Sequence, residues 1–149
     1  MIANHLKLDL IRNIFLQWHG SKADFIQKLP QTASYREYYR IFFKDQTVIG
    51  VFNEDFKENE AFISFSNTFD KLNLNVPKVL YTDLDNSAYL LNDLGDTNLY
   101  SLIYEKKYDY NSSPELIDLY KKALVQLQKF QIQPPVKLKT NLFKMCHFF

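Results

Sequence analysis

Cysteine occurs once in the 149 residues, at Cys146, which excludes an internal disulfide framework and suits a reducing, cytoplasmic setting. Glycine is nearly as scarce. With only Gly20, Gly50 and Gly95, the chain holds neither a Walker-type phosphate loop nor a dinucleotide fingerprint. No sign of charge predominates either: 18 basic and 17 acidic residues leave a net charge of +1, so no global field draws the chain to nucleic acid or to an anionic membrane. Long apolar runs are missing, because Lys7, Asp9 and Arg12 interrupt the start of the chain, which excludes a secretory apolar run or a membrane span there. His5, His19 and His147 are scattered, and Cys146 and His147, being adjacent in sequence, are badly placed to share a metal or to work as nucleophile and base. No catalytic triad and no metal site is expected.

What is abundant is aromatic. Thirteen Phe, ten Tyr and one Trp, within 46% hydrophobic residues, argue for a folded core of about one compact domain. Leu6, Leu10, Ile14 and Trp18 recur at helical spacing and predict an amphipathic first helix stopped by Gly20 and Ser21. Phe25 to Leu29 reads as a short strand cut by Pro30. A polar loop then becomes the strand around Tyr35 to Phe43, whose alternation puts Arg36, Tyr38, Arg40 and Phe42 on one face and Tyr39, Ile41 and Phe43 on the other. Lys44, Asp45 and Gln46 turn it into a second strand, Thr47 to Phe52. Glu58 to Leu72 keeps helical spacing through Phe62, Phe65, Phe69 and Leu72, with Glu58 and Glu60 in the first turn, where the helix dipole favours them. Strands follow at Lys78 to Thr82 and Ser87 to Leu91. Past them, Asn98 to Tyr104 reads as a short helix and Ser113 to Gln131 as a longer one, with Ser113 as cap and Pro114 at its first position.

The stretch Tyr89-Leu90-Leu91-Asn92-Asp93-Leu94-Gly95-Asp96 joins these halves: an apolar strand runs into an acidic turn and then a helix, with Gly95 at the bend and Asp96 or Thr97 expected to cap. It resembles the lobe connection of aminoglycoside phosphotransferases and their choline-kinase and sugar-kinase relatives, and Ser34 to Arg40 resembles the phosphate-covering loop and following strand of that group. The resemblance spans about Gln31 to Gln131 and implies an α+β fold: a protein-kinase-like amino-terminal lobe over residues 1–92 with about five antiparallel strands and a helix at 58–72. A hinge at 93–96 and the beginning of a helical second lobe at 97–149 complete the expectation. It further implies ATP as ligand, with magnesium in a full-length enzyme. The backbone of Asn92 and Leu94 would bind adenine, with Asp93 between them also at the nucleotide, Gly50 would leave room for it, Ser34, Arg36 and Arg40 would meet phosphates, and Glu60 would be the helix carboxylate.

Two departures from the family pattern stand out. Phe52 occupies the place of the strand lysine that holds phosphates and pairs with the helix glutamate. The His-Gly-Asp catalytic loop and its metal-binding aspartate do not occur, so the chain reads as an amino-terminal piece of a small-molecule phosphotransferase, inactive alone, or else as a non-catalytic, pseudokinase-like binding module. The apolar stripe of residues 114–149 is expected to meet a second lobe or to self-associate.

Overall fold

The computed structural model describes residues 4–30, 34–85, 87–106 and 113–132. The helices are α1 (Asn4–His19), α2 (Phe56–Lys71), α3 (Leu99–Lys106) and α4 (Pro114–Ile132); the strands are β1 (Phe25–Lys28), β2 (Glu37–Phe43), β3 (Gln46–Phe52), β4 (Val79–Asp83) and β5 (Ala88–Asn92). All five strands form one antiparallel sheet in the order β1-β2-β3-β5-β4, so the fold is α+β with an open sheet and flanking helices. The chain divides into two compact units, residues 1–70 with 76–94 and residues 71–75 with 95–149.

Burial follows from sheet position. Strands β3 and β5 are neighbours inside the sheet, and residues 48–52 and 88–91 are buried with no polar alternation because both faces are covered. Strand β2 alternates strictly: Glu37, Tyr39, Ile41 and Phe43 are buried while Tyr38, Arg40 and Phe42 are half-buried. The buried set packs with Ile11, Ile14 and Phe15 of α1, together with Val48, Phe52, Ala88 and Leu90. The opposite face gathers Ile49, Val51, Tyr89 and Leu91 against Leu29, Tyr38, Phe62 and Ile63, the last two from α2.

This parity corrects the reading of β3. Gly50 and Phe52 point at α1. A Cβ on Gly50 would lie 2.8 Å from Ile11 Cγ2, so the room expected for adenine is filled by an α1 side chain. Phe52 is 2% exposed in the same core, with the Lys7 ammonium 5.0 Å from its ring, so the position assigned to a phosphate-binding lysine faces away from α2.

Two helix starts also differ from expectation. Helix α2 begins two residues before Glu58, because Asp55 caps it by accepting from the Glu58 amide at 3.0 Å. Its buried positions are Asn59 and Ser66 rather than the Phe65–Phe69 side, where the two rings stack on each other. Asn98, not Asp96 or Thr97, caps α3: its Oδ1 accepts from the Ser101 amide at 2.7 Å and Ser101 Oγ donates back to the Asn98 carbonyl. In α4, Leu116 is buried while Ile117, Tyr120, Leu124 and Leu127 are exposed. Residues 31–33, the expected tail after residue 132, Cys146 and His147 lie outside the described residues.

On the α1 face, Glu37 is an acidic side chain shared by several donors. Lys7 reaches it at 2.6 Å, Lys28 at 2.7 Å and the Tyr39 hydroxyl at 2.7 Å. Burial alone raises the Glu37 pKa, but the hydrogen bonds from Lys28, Lys7 and Tyr39 outweigh it and hold the carboxyl down at about 2, from an ordinary 4.5. Burial, reinforced by donation to Glu37, pushes the Tyr39 hydroxyl up. A carboxylate with a depressed folded-state pKa contributes stability that is complete above its unfolded pKa and is lost as pH falls toward the folded one. Melting temperature is therefore expected to drop between pH 4.5 and about 2, and Glu37→Gln should flatten that limb of the profile. An unchanged slope in the variant would place the acid sensitivity elsewhere.

Candidate functional site

The half-open face of β2 is where the sequence places its two arginines; strand alternation puts Arg40 there with Tyr38, while Arg36 lies one residue before the strand begins. Their surroundings differ. Arg40, opposite Ile49 in the ladder, reaches Asp93 just past the end of β5: Nε donates to Oδ2 at 2.6 Å and Nη2 to Oδ1 at 3.2 Å. The side chains are 13% and 8% exposed, so this is a nearly dry, two-point ion pair. Arg40 was expected at phosphate and Asp93 at the nucleotide; here each side chain holds the other, fixing the end of β5 to β2.

Arg36 faces α2. Its Nη2 lies 3.0 Å from Glu58 Oε1, and its guanidinium carbon lies 4.8 Å from the centre of the Phe62 ring. Ser34, on the segment between β1 and β2, accepts a hydrogen bond from the Arg36 amide at 3.1 Å, which holds the loop end beside the arginine. Ser34 and Arg36 are thus brought together as expected. Glu60 is not part of the group: it is exposed, and Glu58, two residues earlier, is the carboxylate that the helix presents. The other Glu58 oxygen accepts from Asn53 Nδ2 at 2.8 Å. Asn53 also takes the Asp55 amide on its Oδ1 and, through its carbonyl, the Asn59 side-chain amide at 2.8 Å.

Asn53, Glu58, Asn59 and Tyr89 were not among the site residues expected from the sequence. Glu58 was findable, since it stands three residues after Asp55, the spacing of a helix cap and its third position. The others depend on which residues the fold brings beside Arg36. Tyr89 is 0% exposed and its ring stacks on Phe62 at 5.6 Å. Burial pushes its hydroxyl pKa up, while Arg36 pulls it down and Tyr38 and Glu58 push it further up, so the hydroxyl lies within the field of all three.

At the end of β5, Asn92 is spent on structure: its amide donates to the Lys78 carbonyl at 3.0 Å and its Oδ1 accepts from the Lys78 amide at 2.5 Å. Leu94 is 67% exposed, and no hydrogen bond of its backbone is found among the described residues. Two cavities lie on the α1 side, one of about 500 Å3 including Arg12, Lys22 and Phe25, the other of about 310 Å3 including His5, Lys28 and Tyr39. Neither takes in a residue of the Arg36 group. Among the described residues no three His, Cys, Asp or Glu side chains are placed to hold a metal ion, and none of the helices there is long and apolar enough to cross a membrane.

No protein-family model matches the chain, and a search of curated proteins found no match.

Proposed function

We propose that residues 1–94 are the nucleotide-binding lobe of an ATP-dependent small-molecule phosphotransferase, of the kind that acts on aminoglycosides, choline or sugars. The observation that supports it best is the Arg36–Glu58 pair: a cation at the start of β2, beside the loop that carries Ser34, meets a first-turn carboxylate of a helix inserted between the third and fourth strands. Such a pair holds a positive group at a fixed place without neutralising all its donors, which is what an anionic phosphate requires. In this reading adenine rests against the side chains of Leu29, Tyr38, Ile49 and Leu91 rather than over Gly50, and the free backbone of Leu94 meets its edge. The exposed apolar stripe of α4 is the surface through which the chain would meet a second lobe or another copy.

Calorimetric titration with magnesium-ATP, run beside a turnover assay over sugars and aminoglycosides, tests the reading. ATP is expected to bind saturably without transfer, since the chain lacks the His-Gly-Asp loop. A folded chain that does not bind ATP would overturn it. A second reading, a non-catalytic binding module, is favoured by the commitment of Arg40 to Asp93. A chain that binds neither ATP nor adenosine, or does not distinguish them, would favour it.

A further inference from the structure

Arg36 and Arg40 look equivalent in the sequence, both on the same face of one strand, yet they differ in how many donors remain. Arg40 spends two guanidinium nitrogens on one nearly buried carboxylate. Arg36 spends Nη2 on Glu58, and its Nε is buried without a partner. Only two other buried side-chain atoms among the described residues share that condition: the Tyr89 hydroxyl and Asn59 Oδ1.

These orphaned groups belong to one cluster. Arg36 and Tyr89 both contact Phe62, and Arg36 and Glu58 both act on the Tyr89 hydroxyl. Asn59 connects to Glu58 through Asn53. A buried N–H or O–H left unpaired costs free energy that a bound acceptor restores, and an arginine and a phenol, both donors, call for an acceptor rich in lone pairs. Phosphoryl oxygen has that chemistry.

We infer that Arg36 is the phosphate-recognising cation of this lobe, held in place by Glu58 and Phe62 with Tyr89 as a second donor, and that Arg40 is not a ligand contact. The inference rests on the nucleotide-binding reading and deepens it. Arg36 takes over the task that Phe52 cannot perform, from the other side of the sheet. Because Glu58 competes with phosphate for the same guanidinium, the carboxylate also sets how tightly phosphate binds.

The test is titration of ATP and adenosine into the full chain and into Arg36→Met, Arg36→Lys, Glu58→Gln and Tyr89→Phe, with thermal melts confirming that each is folded. Losing a charge-assisted contact should weaken ATP by roughly 10- to 100-fold in Arg36→Met while adenosine changes less than about twofold. Arg36→Lys should recover part of the loss, Tyr89→Phe should show a smaller loss confined to ATP, and Glu58→Gln should tighten ATP. An unchanged ratio of ATP to adenosine affinity in Arg36→Met would overturn the assignment while leaving nucleotide binding intact. So would a Glu58→Gln variant that loses ATP as severely as Arg36→Met, since the pair would then be a strut. Failure of the parent chain to bind either ligand would overturn the nucleotide reading, and this inference with it.

Discussion

Phe52→Lys is expected to unfold the first unit rather than restore phosphate binding. The side chain at position 52 is 2% exposed among α1 residues, and the Lys7 ammonium already lies 5.0 Å from the ring. A lysine there would set a second ammonium beside the first, with Glu37 already accepting from Lys7, Lys28 and Tyr39. An uncompensated buried charge costs about 3 to 5 kcal/mol, a large part of the stability of a small domain. Glu60, the partner such a lysine would need, is exposed on α2, which packs against the other face of the sheet. Urea unfolding with Phe52→Leu as the control for lost aromatic packing measures the effect. A Phe52→Lys protein of parental stability and improved ATP affinity would refute the placement of this residue in the α1 core.

The second large effect is at Arg40. Arg40→Met leaves the Asp93 carboxylate, 8% exposed, without the two donors that now hold it, and breaking such a pair from one side costs about 3 to 5 kcal/mol. Replacing both members, Arg40→Met with Asp93→Leu, should recover most of the loss, because neither charge then remains to be solvated. As the pair fixes the end of β5, the single variant should weaken ATP and adenosine in equal proportion, unlike Arg36→Met. Chemical denaturation of the two single variants and the double, combined as a cycle, yields the coupling directly. A coupling near zero, or a loss confined to ATP, would return Arg40 to the phosphate.

Elements were legible where period and punctuation agreed. The β2 alternation of Tyr39, Ile41 and Phe43 against Tyr38 and Arg40 needs only the two-residue repeat of a strand, and the structure keeps it. Gly95, at a backbone φ of +80°, was marked as one of only three glycines in the chain and as the one that follows the last strand. Continuous apolar strands were harder. In Val48-Ile49-Gly50-Val51-Phe52 every residue is apolar or glycine, so nothing in the string says which alternate set faces which helix, and a one-residue choice moves Gly50 and Phe52 to the opposite face.

The sequence alone determined the elements and their order, because turn residues and periodicity act over a few neighbours. Which arginine keeps a free donor was decided 53 residues away in the case of Arg40, by Asp93, and across the sheet from α2 in the case of Arg36, by Glu58 and Phe62. Ile11 likewise fills the space over Gly50 from another element altogether. Those are contacts between residues distant in the chain, fixed by how α1 and α2 pack on opposite faces of one sheet, and local spacing carries no record of them.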